Sequence, residues 1–482
     1  MERVLSYAPS RIWLLLILTL SALLNVWRLG AKSLWLDEIH TYRFATMPAS
    51  DFWSLMAHRE ANMVLYYVLL RPWLAVGDSE AWMRGLSAIV TVGAVGGVYW
   101  LSRRLYGRRV GLIAAFLLAI NPGVIANGQE ARGYAVFLLL ALVATALLIR
   151  AVDGHLRDWL RYVVVASLTV YSHLFGSLVV LAHGVAALAF VPRSILPWRR
   201  LVAVGGAVAV LTLPLTLFVL TAADRKLGWV SEPGFRTFVG IFAALAGSKW
   251  LLAAYGLLVL VAVVVATRGW TSGDARAWGS FLLVSWLVLP PAVAFAISPV
   301  KPALVPRFFF TGVAPMVILA AVGLERTRSA AMIGGCLLVI VGLTVPQLLA
   351  HYREPFEDWR GAIQHVVGHA AAQDAMVFYT STGRHALAYY TRNLSAPRAT
   401  VIAPIWKDLK EMGARSADLD AIRQGYPRVW LVLSHTDTGP EAAVRDAMQD
   451  ALRAQYRSMD LREFTGVRVV VYDNESRKDP GD

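Results

Sequence analysis

The sequence predicts an α-helical polytopic membrane protein with a small α/β domain at its C-terminus. Of its 482 residues, 57% are hydrophobic and 16% are charged, and the mean hydropathy of +0.54 is too high for a soluble chain of this length. The apolar residues fall in runs of roughly 17 to 25, the length that a helix needs to cross a bilayer. These runs stop near Ala350, where short β-rich segments begin.

The apolar runs predict about eleven transmembrane helices. The first is predicted to be retained, because the N-terminal apolar stretch lacks the small-residue cleavage site of a signal peptide. The predicted spans cover residues 11–29, 83–103, 110–126, 132–150, 159–175, 176–191, 201–220, 249–267, 278–297, 308–324 and 330–349.

The distribution of charge predicts the orientation of the chain. The net charge of +14 originates in the first 349 residues, which hold 29 Lys and Arg against 14 Asp and Glu, whereas the remainder holds 17 against 18. Its basic residues gather in short loops, as in the run from Arg103 to Arg109, which is typical of cytoplasmic loops and does not indicate a nucleic-acid partner. With the N-terminus in the cytoplasm, these basic loops lie on the cytoplasmic side. An odd number of spans then places the C-terminus of this cell-membrane protein outside the cytoplasm.

Two domains are predicted. A membrane domain covers residues 1–349 and includes a long external loop over residues 30–82, and an extracytoplasmic α/β domain covers residues 350–482. Loops of this length often carry function. Four strands are predicted in the second domain, from the segments AMVFYT, ATVIAP, RVWLVLS and VRVVVYD.

The long loop carries an acidic pair, Asp37 and Glu38, in the string SLWLDEIHTYRFA. A carboxylate kept partly dry between aromatic side chains and lipid headgroups is a better base than one in water, because desolvation raises its proton affinity. The pair is therefore a candidate catalytic site. The alternative is a solvated turn at the membrane surface.

A second candidate group follows the third predicted span, in the string NGQEARGYA. It places the carboxylate of Glu130 and the guanidinium of Arg132 at the external membrane edge, beside Tyr134. Glu130 is a candidate catalytic residue and the other two are candidate substrate ligands. In the competing interpretation, Arg132 pairs with Glu130 or reaches to phospholipid headgroups.

A third candidate group is cationic. His173 ends the fifth predicted span, and Lys301 and Arg307 precede the tenth. These residues would suit a lipid-linked phosphate, and a guanidinium suits it best because it can donate two parallel hydrogen bonds. The competing interpretation makes Arg307 an interfacial anchor and His173 a packing residue.

Several nucleotide and metal motifs are absent from the sequence. It contains no GxxxxGK[ST], HExxH, CxxC or GxSxG string. His365 and His369 are spaced four apart on a predicted helix, but no acidic base lies between them, so a solvated helix face is predicted rather than a metal site. The carboxylate pair could still hold a divalent cation or act without one.

Seven strings, taken in order, resemble those of one enzyme family. They are SLWLDEIHTYRFA, NMVLYYVLLRPW, GDSEAWMRGLSAI, SRRLYGRRVGLIAAFLLAINP, GQEARGYAV, YSHLFG and VPRFFFTGVAPMVILA, and YREPFEDWRGA at the domain junction is also similar. The family is the bacterial glycosyltransferase family 39 branch of the GT-C superfamily, which is related to protein O-mannosyltransferases and to the aminoarabinose transferase that modifies lipid A. The resemblance covers most of the chain.

The resemblance implies a polyprenyl-phosphate sugar as the donor, and a glycan, lipid or protein as the acceptor. It also implies that Asp37 is the catalytic base, that Glu130 is a second acidic position, and that Arg307 faces the lipid phosphate. His58 and Glu60 belong to the predicted substrate-binding residues of the same loop. The chain departs from many relatives at Asn62 and Met63, where they have a Pro-Pro pair.

The predicted activity is inverting transfer of mannose, arabinose or another sugar, with Asp37 accepting the proton of the acceptor hydroxyl. Two other functions are compatible with many spans. One is a transporter or lipid flippase, although its charged residues would be expected near the bilayer midplane rather than at span ends. The other is a catalytically silent anchor whose outer domain binds a glycan or a protein.

Overall fold

The computed structural model describes residues 8–191, 198–222, 234–269, 275–299, 303–379, 381–394, 400–402, 426–437 and 440–474. The chain forms two compact units. The membrane unit comprises Met1–Leu29 and Ala45–Arg353, and the C-terminal unit comprises Gly30–Phe44 and Glu354–Asp482. The segment that contains Asp37 and Glu38 thus folds with the C-terminal part of the chain.

The described helices follow the chain in this order. They are α1 (Ala8–Val26), α2 (Leu36–Thr46), α3 (Ala49–His58), α4 (Val64–Leu74), α5 (Glu80–Tyr106), α6 (Arg108–Ile120), α7 (Pro122–Gly128), α8 (Tyr134–Val152), α9 (Arg157–Ser172), α10 (Gly176–Phe190), α11 (Trp198–Leu211), α12 (Leu213–Ala222), α13 (Phe235–Ala246), α14 (Lys249–Gly269), α15 (Ala275–Ile297), α16 (Val313–Glu325), α17 (Ala330–Arg353), α18 (Trp359–His369), α19 (Arg384–Thr391) and α20 (Pro440–Arg453). Short 3-10 helices cover Pro306–Gly312 and Ser381–Gly383.

The helical membrane fold confirms the predicted fold class. Within the described ranges, five helices are long and apolar enough to cross a membrane, or up to eight if each bent pair of helices is one span. Seven of these eight coincide with predicted spans, and for the bent pair α13 and α14 the predicted span covers α14 only. The other three predicted spans coincide with α1, of 19 residues, with α10, of 15 residues, and with α9, of 16 residues with charges in its first turns. The count of about eleven spans stays a prediction.

A bend between α6 and α7 positions the first part of the candidate site. The two helices meet at 62°, and Asn121 lies at the break. Its Oδ1 accepts the backbone N–H of Val124 at 3.0 Å, and its Nδ2 donates to the carbonyl of Leu245 at 3.0 Å. The second bend, of 86° between α13 and α14, turns at Gly247, whose φ of +101° favours glycine. A Cβ there would lie 2.8 Å from Pro122, so the two bends brace each other.

The C-terminal unit is built on a five-stranded sheet with strand order β2-β1-β3-β5-β4. The strands are β1 (Ala375–Tyr379), β2 (Thr400–Ile402), β3 (Arg428–Ser434), β4 (Ser458–Phe464) and β5 (Val467–Asp473). The first three are parallel, and β5 and β4 continue the sheet in antiparallel pairs. Four strands match the predicted segments. The fifth, β4, was not predicted, because it is an exposed edge strand with the mostly polar sequence SMDLREF.

Candidate active site

The turn between α7 and α8 is held by the buried side chain of Gln129. Its Nε2 donates to the backbone carbonyls of Asn25 and Trp27 at 3.0 and 2.8 Å. Its Oε1 lies 3.0 Å from Nε2 of His351, near the end of α17. Both ends of the amide are fixed, so the half-buried Glu130 that follows is carried on a rigid turn.

Arg132 and Tyr134 follow on the same turn, which packs against the start of α4. The backbone carbonyl of Arg132 accepts the hydroxyl of Ser87 at 3.2 Å, and that hydroxyl lies 3.0 Å from the Tyr66 hydroxyl. A Cβ at Gly133 would lie 3.2 Å from the Cβ of Tyr66, so the turn and the helix approach each other closely here. Tyr134 is buried next to the turn.

His173 lies between α9 and α10 and is only 1% exposed. Its ring stacks on Phe137 with centroids 5.0 Å apart and 12° between the planes, and it contacts Phe308 at 5.3 Å. Its Nδ1 accepts the backbone N–H of Phe175 at 3.2 Å, so the proton of the neutral ring is on Nε2. Among the residues that the structure describes, this buried Nε2 has no hydrogen-bond partner.

Two arginines act electrostatically on His173. They are Arg132 and Arg307, which reach it from different parts of the chain. Arg307 lies in the 3-10 helix that precedes α16, and aromatic contacts fix that helix: Phe308 lies 5.0 Å from Phe175 and Phe310 lies 6.2 Å from Tyr134. The predicted cationic residue Lys301 lies outside the described residues.

Asn62 joins a further segment to this cluster. Its Oδ1 accepts the backbone N–H of Leu174 at 3.2 Å, beside His173. The next residue, Met63, is buried and has a φ of +63° as it leads into α4. From the sequence, these two positions were only a departure from the Pro-Pro pair. No local signal indicates the bond, because its two partners lie 112 positions apart.

The remaining predicted ligands of the membrane unit lie at the end of α3. His58 is exposed, and its Nδ1 lies 2.9 Å from the carbonyl of Ser54 on the same helix. Glu60 is half-buried in the segment that leads to Asn62. One ring nitrogen of His58 is thus engaged by its own helix. Four other predicted residues, Arg132, Tyr134, His173 and Arg307, form one cluster. We call these four residues the cationic cluster.

The two carboxylates of the acidic pair have different surroundings within the C-terminal unit. Glu38 is fully buried, and its Oε2 accepts the backbone N–H of Trp35 at 3.3 Å. This is the reach of a capping-box glutamate back to the start of its own helix. Asp37 is half-buried in the first turn of α2, and its charge acts on the imidazole of His435. Glu38 is therefore committed to the helix start, which leaves Asp37 as the better candidate for proton transfer.

Two different chemistries are available from these groups. Two guanidinium groups and a buried imidazole N–H suit a phosphate. A partly buried carboxylate suits a general base. Across the described residues, no group of three or more His, Cys, Asp or Glu side chains could hold a metal ion. Whether the acidic pair holds a divalent cation stays a prediction.

Residues 63–219 match the sequence model of the family described as dolichyl-phosphate-mannose-protein mannosyltransferase. The match covers 157 of the 482 residues of the chain. It contains Glu130, Arg132, Tyr134 and His173, and it ends before Arg307. The predicted family resemblance is confirmed, and with it the polyprenyl-phosphate-sugar-dependent class of glycosyltransferase. No curated protein matches the sequence.

Solved structures share the fold of this chain over nearly its whole length. ArnT from Cupriavidus metallidurans in the apo state has a TM-score of 0.64 at 12% identity, covering 97% of this chain and 99% of that chain. The same protein bound to undecaprenyl phosphate has a TM-score of 0.62 at 14% identity, covering 95% and 98%. The oligosaccharyltransferase AglB from Archaeoglobus fulgidus, in complex with an inhibitory peptide and a dolichol-phosphate, has a TM-score of 0.54 at 14% identity, covering 98% and 75%. The chain is thus a multi-pass membrane protein with this fold.

Proposed function

We propose that the protein transfers a sugar, with inversion, from a polyprenyl-phosphate carrier to an acceptor outside the cytoplasm. The observation that carries the proposal is the buried Nε2–H of His173, which lacks a hydrogen-bond partner among the described residues. The charges of Arg132 and Arg307 act on the same imidazole. A buried donor without a partner is costly unless a ligand satisfies it. A phosphate brings both the negative charge and the acceptor oxygens that this cluster matches.

The cationic cluster is proposed to bind the lipid phosphate and to stabilise it as it leaves. When the bond between the anomeric carbon and the phosphate breaks, negative charge develops on the phosphate oxygens. Guanidinium groups fixed in a site with little water stabilise that charge more than water would. Undecaprenyl phosphate and dolichol-phosphate are bound in two solved proteins of the same fold, which supports this assignment.

Asp37 is proposed to act as the general base. It would accept the proton of the acceptor hydroxyl while the oxygen attacks the anomeric carbon from the face opposite the phosphate. That geometry inverts the configuration, and the electron pair of the broken bond leaves with the lipid phosphate. Glu38, which caps the helix of Asp37, would orient the carboxylate rather than exchange a proton. Glu130 is proposed to contact the sugar or the acceptor.

The donor sugar is proposed to be mannose, because the matched family is described by dolichyl-phosphate-mannose. Arabinose is the alternative, since ArnT shares the fold. The test uses purified protein in lipid nanodiscs, with labelled polyprenyl-phosphate mannose, polyprenyl-phosphate arabinose and a nucleotide-linked sugar. We expect one lipid-linked sugar to be consumed and free polyprenyl phosphate to appear in equal amount. Consumption of the nucleotide sugar alone, or of neither lipid donor, would refute the proposal.

The acceptor can be identified in cells that lack the protein. Mass spectrometry of their lipids and envelope glycans should show the sugar-charged carrier accumulating and one glycan losing a sugar. Restoring the gene should reverse both changes. A silent anchor would leave both pools unchanged, and a flippase would make the carrier accumulate on the cytoplasmic face.

The C-terminal unit is proposed to lie outside the cytoplasm. Cys336 is the only cysteine in the chain, so a Cys336→Ser background permits single-cysteine labelling. Asp446→Cys would place one thiol on an exposed position of α20. A membrane-impermeant maleimide should label it in intact cells. Labelling only after the membrane is broken would reverse the proposed orientation.

A further inference from the structure

The loop that leads to Asp37 is held by side chains from the other end of the sequence. Residues 30–35 precede α2, and their partners lie beyond residue 354, within the same C-terminal unit. Most of these partners come from the string YREPFEDWRGA, whose role the sequence analysis left unassigned. The contacts fall into three groups, around Arg360, Tyr390 and Glu357.

Arg360 binds three successive carbonyl groups of the loop. Its Nη2 donates to the carbonyls of Gly30 and Lys32 at 3.0 and 3.3 Å. Its Nη1 donates to the carbonyl of Ala31 at 3.2 Å. The backbone N–H of Arg360 also donates to the hydroxyl of Ser33 at 3.0 Å. Only a guanidinium presents enough donors in one plane for such a set, so lysine could not replace it.

Tyr390 binds Ser33 and Leu34 of the same loop. Its hydroxyl oxygen accepts the backbone N–H of Leu34 at 2.9 Å and lies 3.0 Å from the hydroxyl of Ser33. Burial raises the pKa of Tyr390 to about 12, so the hydroxyl stays protonated at physiological pH. The loop is therefore tied to α19 as well as to the start of α18.

Glu357 caps the helix that carries Asp37. It is only 2% exposed, and its Oε2 accepts the backbone N–H of Leu36, the first residue of α2, at 2.9 Å. The same oxygen accepts the indole N–H of Trp359 at 2.6 Å. Helix starts leave backbone N–H groups without partners, and a carboxylate there accepts such a group and interacts favourably with the helix dipole. Here the cap comes from 321 positions further along the chain.

The second carboxylate oxygen of Glu357 is paired with His435. Its Oε1 lies 2.8 Å from Nε2 of the imidazole, which follows β3 and is half exposed. The neighbouring carboxylate of Glu357 raises the pKa of His435, and the charge of Asp37 adds to the effect. The turn between β4 and β5 packs against the methylene stem of Glu357, because a Cβ on Gly466 would lie 2.9 Å from its Cγ. Glu357 is thus held by two hydrogen bonds at Oε2 and by packing along its stem.

We propose that Glu357, Arg360 and Tyr390 are positioning residues for Asp37, so that the C-terminal unit supplies an essential part of the catalytic apparatus. The proposal rests on the assignment of Asp37 as the base. Trp35 and Leu36 have their backbone N–H groups capped by Glu38 and Glu357 respectively. The rotation of the first turn of α2, and with it the direction of Asp37, follows from these two bonds.

The experiment compares three conservative variants with two matched controls. The variants are Glu357→Gln, Arg360→Lys and Tyr390→Phe, and the controls are Glu441→Gln and Arg457→Lys at exposed positions of the same unit. For the variants we expect kcat to fall roughly tenfold to a hundredfold, as a displacement of about 1 Å in a catalytic group does. KM for the lipid donor should be unchanged, and the controls should match the wild type.

Hydrogen exchange provides a readout that does not depend on activity. In the three variants, peptides covering residues 30–40 should exchange faster, while the sheet of the C-terminal unit keeps its protection and the thermal midpoint stays close to that of the wild type. Normal kcat despite faster exchange would overturn the positioning role. Unchanged exchange would show that these side chains do not hold the loop, which also overturns it.

The two proposals fail in distinguishable ways. If the wild type moves no sugar from any lipid donor, the proposed function is wrong, and the exchange data alone then decide whether the loop is held as described. If the wild type is active and only KM changes in the variants, these residues act on the substrate rather than on Asp37. Complete unfolding of Arg360→Lys would leave Glu357→Gln and Tyr390→Phe to decide the question.

Discussion

His173 lies flat against Phe137, with ring centroids 5.0 Å apart and 12° between the planes. The stacking fixes the imidazole while its Nδ1 accepts a backbone N–H, so the remaining N–H has one direction in which to point. This separates the two roles of the residue, because phenylalanine can replace the packing but not the donor.

We predict that His173→Phe will weaken donor binding and lower stability by about 1 kcal/mol, because it also removes the acceptor of the Phe175 N–H. A hydrogen bond to a charged group contributes about 1.5–3 kcal/mol, so KM for the lipid donor should rise roughly tenfold to a hundredfold. His183 is the matched control. It is equally buried, but its nitrogens lie 3.0 Å from the Thr145 hydroxyl and 3.2 Å from the Tyr162 hydroxyl. His183→Phe should therefore reduce the thermal midpoint and leave KM unchanged. The same KM for both variants would argue against a phosphate ligand at His173.

Asn62→Ala should loosen the turn that carries His173. It removes the acceptor of the Leu174 N–H, at a cost of about 1 kcal/mol in stability. KM for the donor should rise by less than in His173→Phe. Asn127→Ala is the control, because the Asn127 side chain donates to the carbonyl of Gly123 in its own helix. Donor titrations of both variants check this, and equal values would show that the Asn62 bond does not support the site.

The hairpin turn at Gly466 should be intolerant of a side chain. Its φ is +69°, and left-handed backbone costs a non-glycine residue about 1–2 kcal/mol. Gly466→Ala would also push its methyl group against Glu357, so both the thermal midpoint and the transfer rate should fall. Gly368→Ala is the control, since open space surrounds that position in α18. A normal transfer rate in Gly466→Ala would mean that Glu357 can move without consequence.

Acid should destabilise the C-terminal unit through His385. Burial lowers the pKa of His385 to about 4, and electrostatic interactions with Arg43, His40 and Arg384 add to this effect. In the folded unit the imidazole of His385 stays neutral down to about pH 4, whereas in the unfolded chain it takes up a proton near pH 6.5. Stability is therefore lost as pH falls from about 6.5 towards 4. His385→Gln should flatten the dependence of the thermal midpoint on pH over this window.

The control for acid sensitivity is His155→Gln, at an exposed position between α8 and α9. It should keep the pH slope of the wild type. His385 lies on α19 and its ring contacts His40 of α2 at 6.0 Å, so transfer activity should decline over the same pH window. An unaltered slope in His385→Gln would assign the acid effect to another group.

Much of the membrane unit could be predicted from the sequence because local composition determines it. Apolar runs gave the positions of the helices, and the strings around Glu130 and His173 indicated a cluster at their ends. The bends at Asn121 and Gly247 were not predicted, since a polar or glycine residue inside an apolar run does not reveal whether the helix breaks.

The surroundings of Asp37 could not be predicted. The acidic pair itself was recognised, but its partners lie more than 300 residues away in the sequence, as in the bond from Leu36 to Glu357. No local periodicity encodes such a pairing. The edge strand β4 was missed because its polar side chains give no apolar alternation, although the turn that follows it covers Glu357.

The central claim is that Asp37 is the base in transfer from a polyprenyl-phosphate sugar. Its most direct test measures the rate at which purified Asp37→Asn protein moves labelled sugar from the lipid carrier, beside Asp51→Asn at an exposed position of α3. A positioned general base contributes about 10²–10⁴-fold, so Asp37→Asn should lose activity by that factor with normal donor binding, while Asp51→Asn remains active. Wild-type rates for Asp37→Asn would contradict the account.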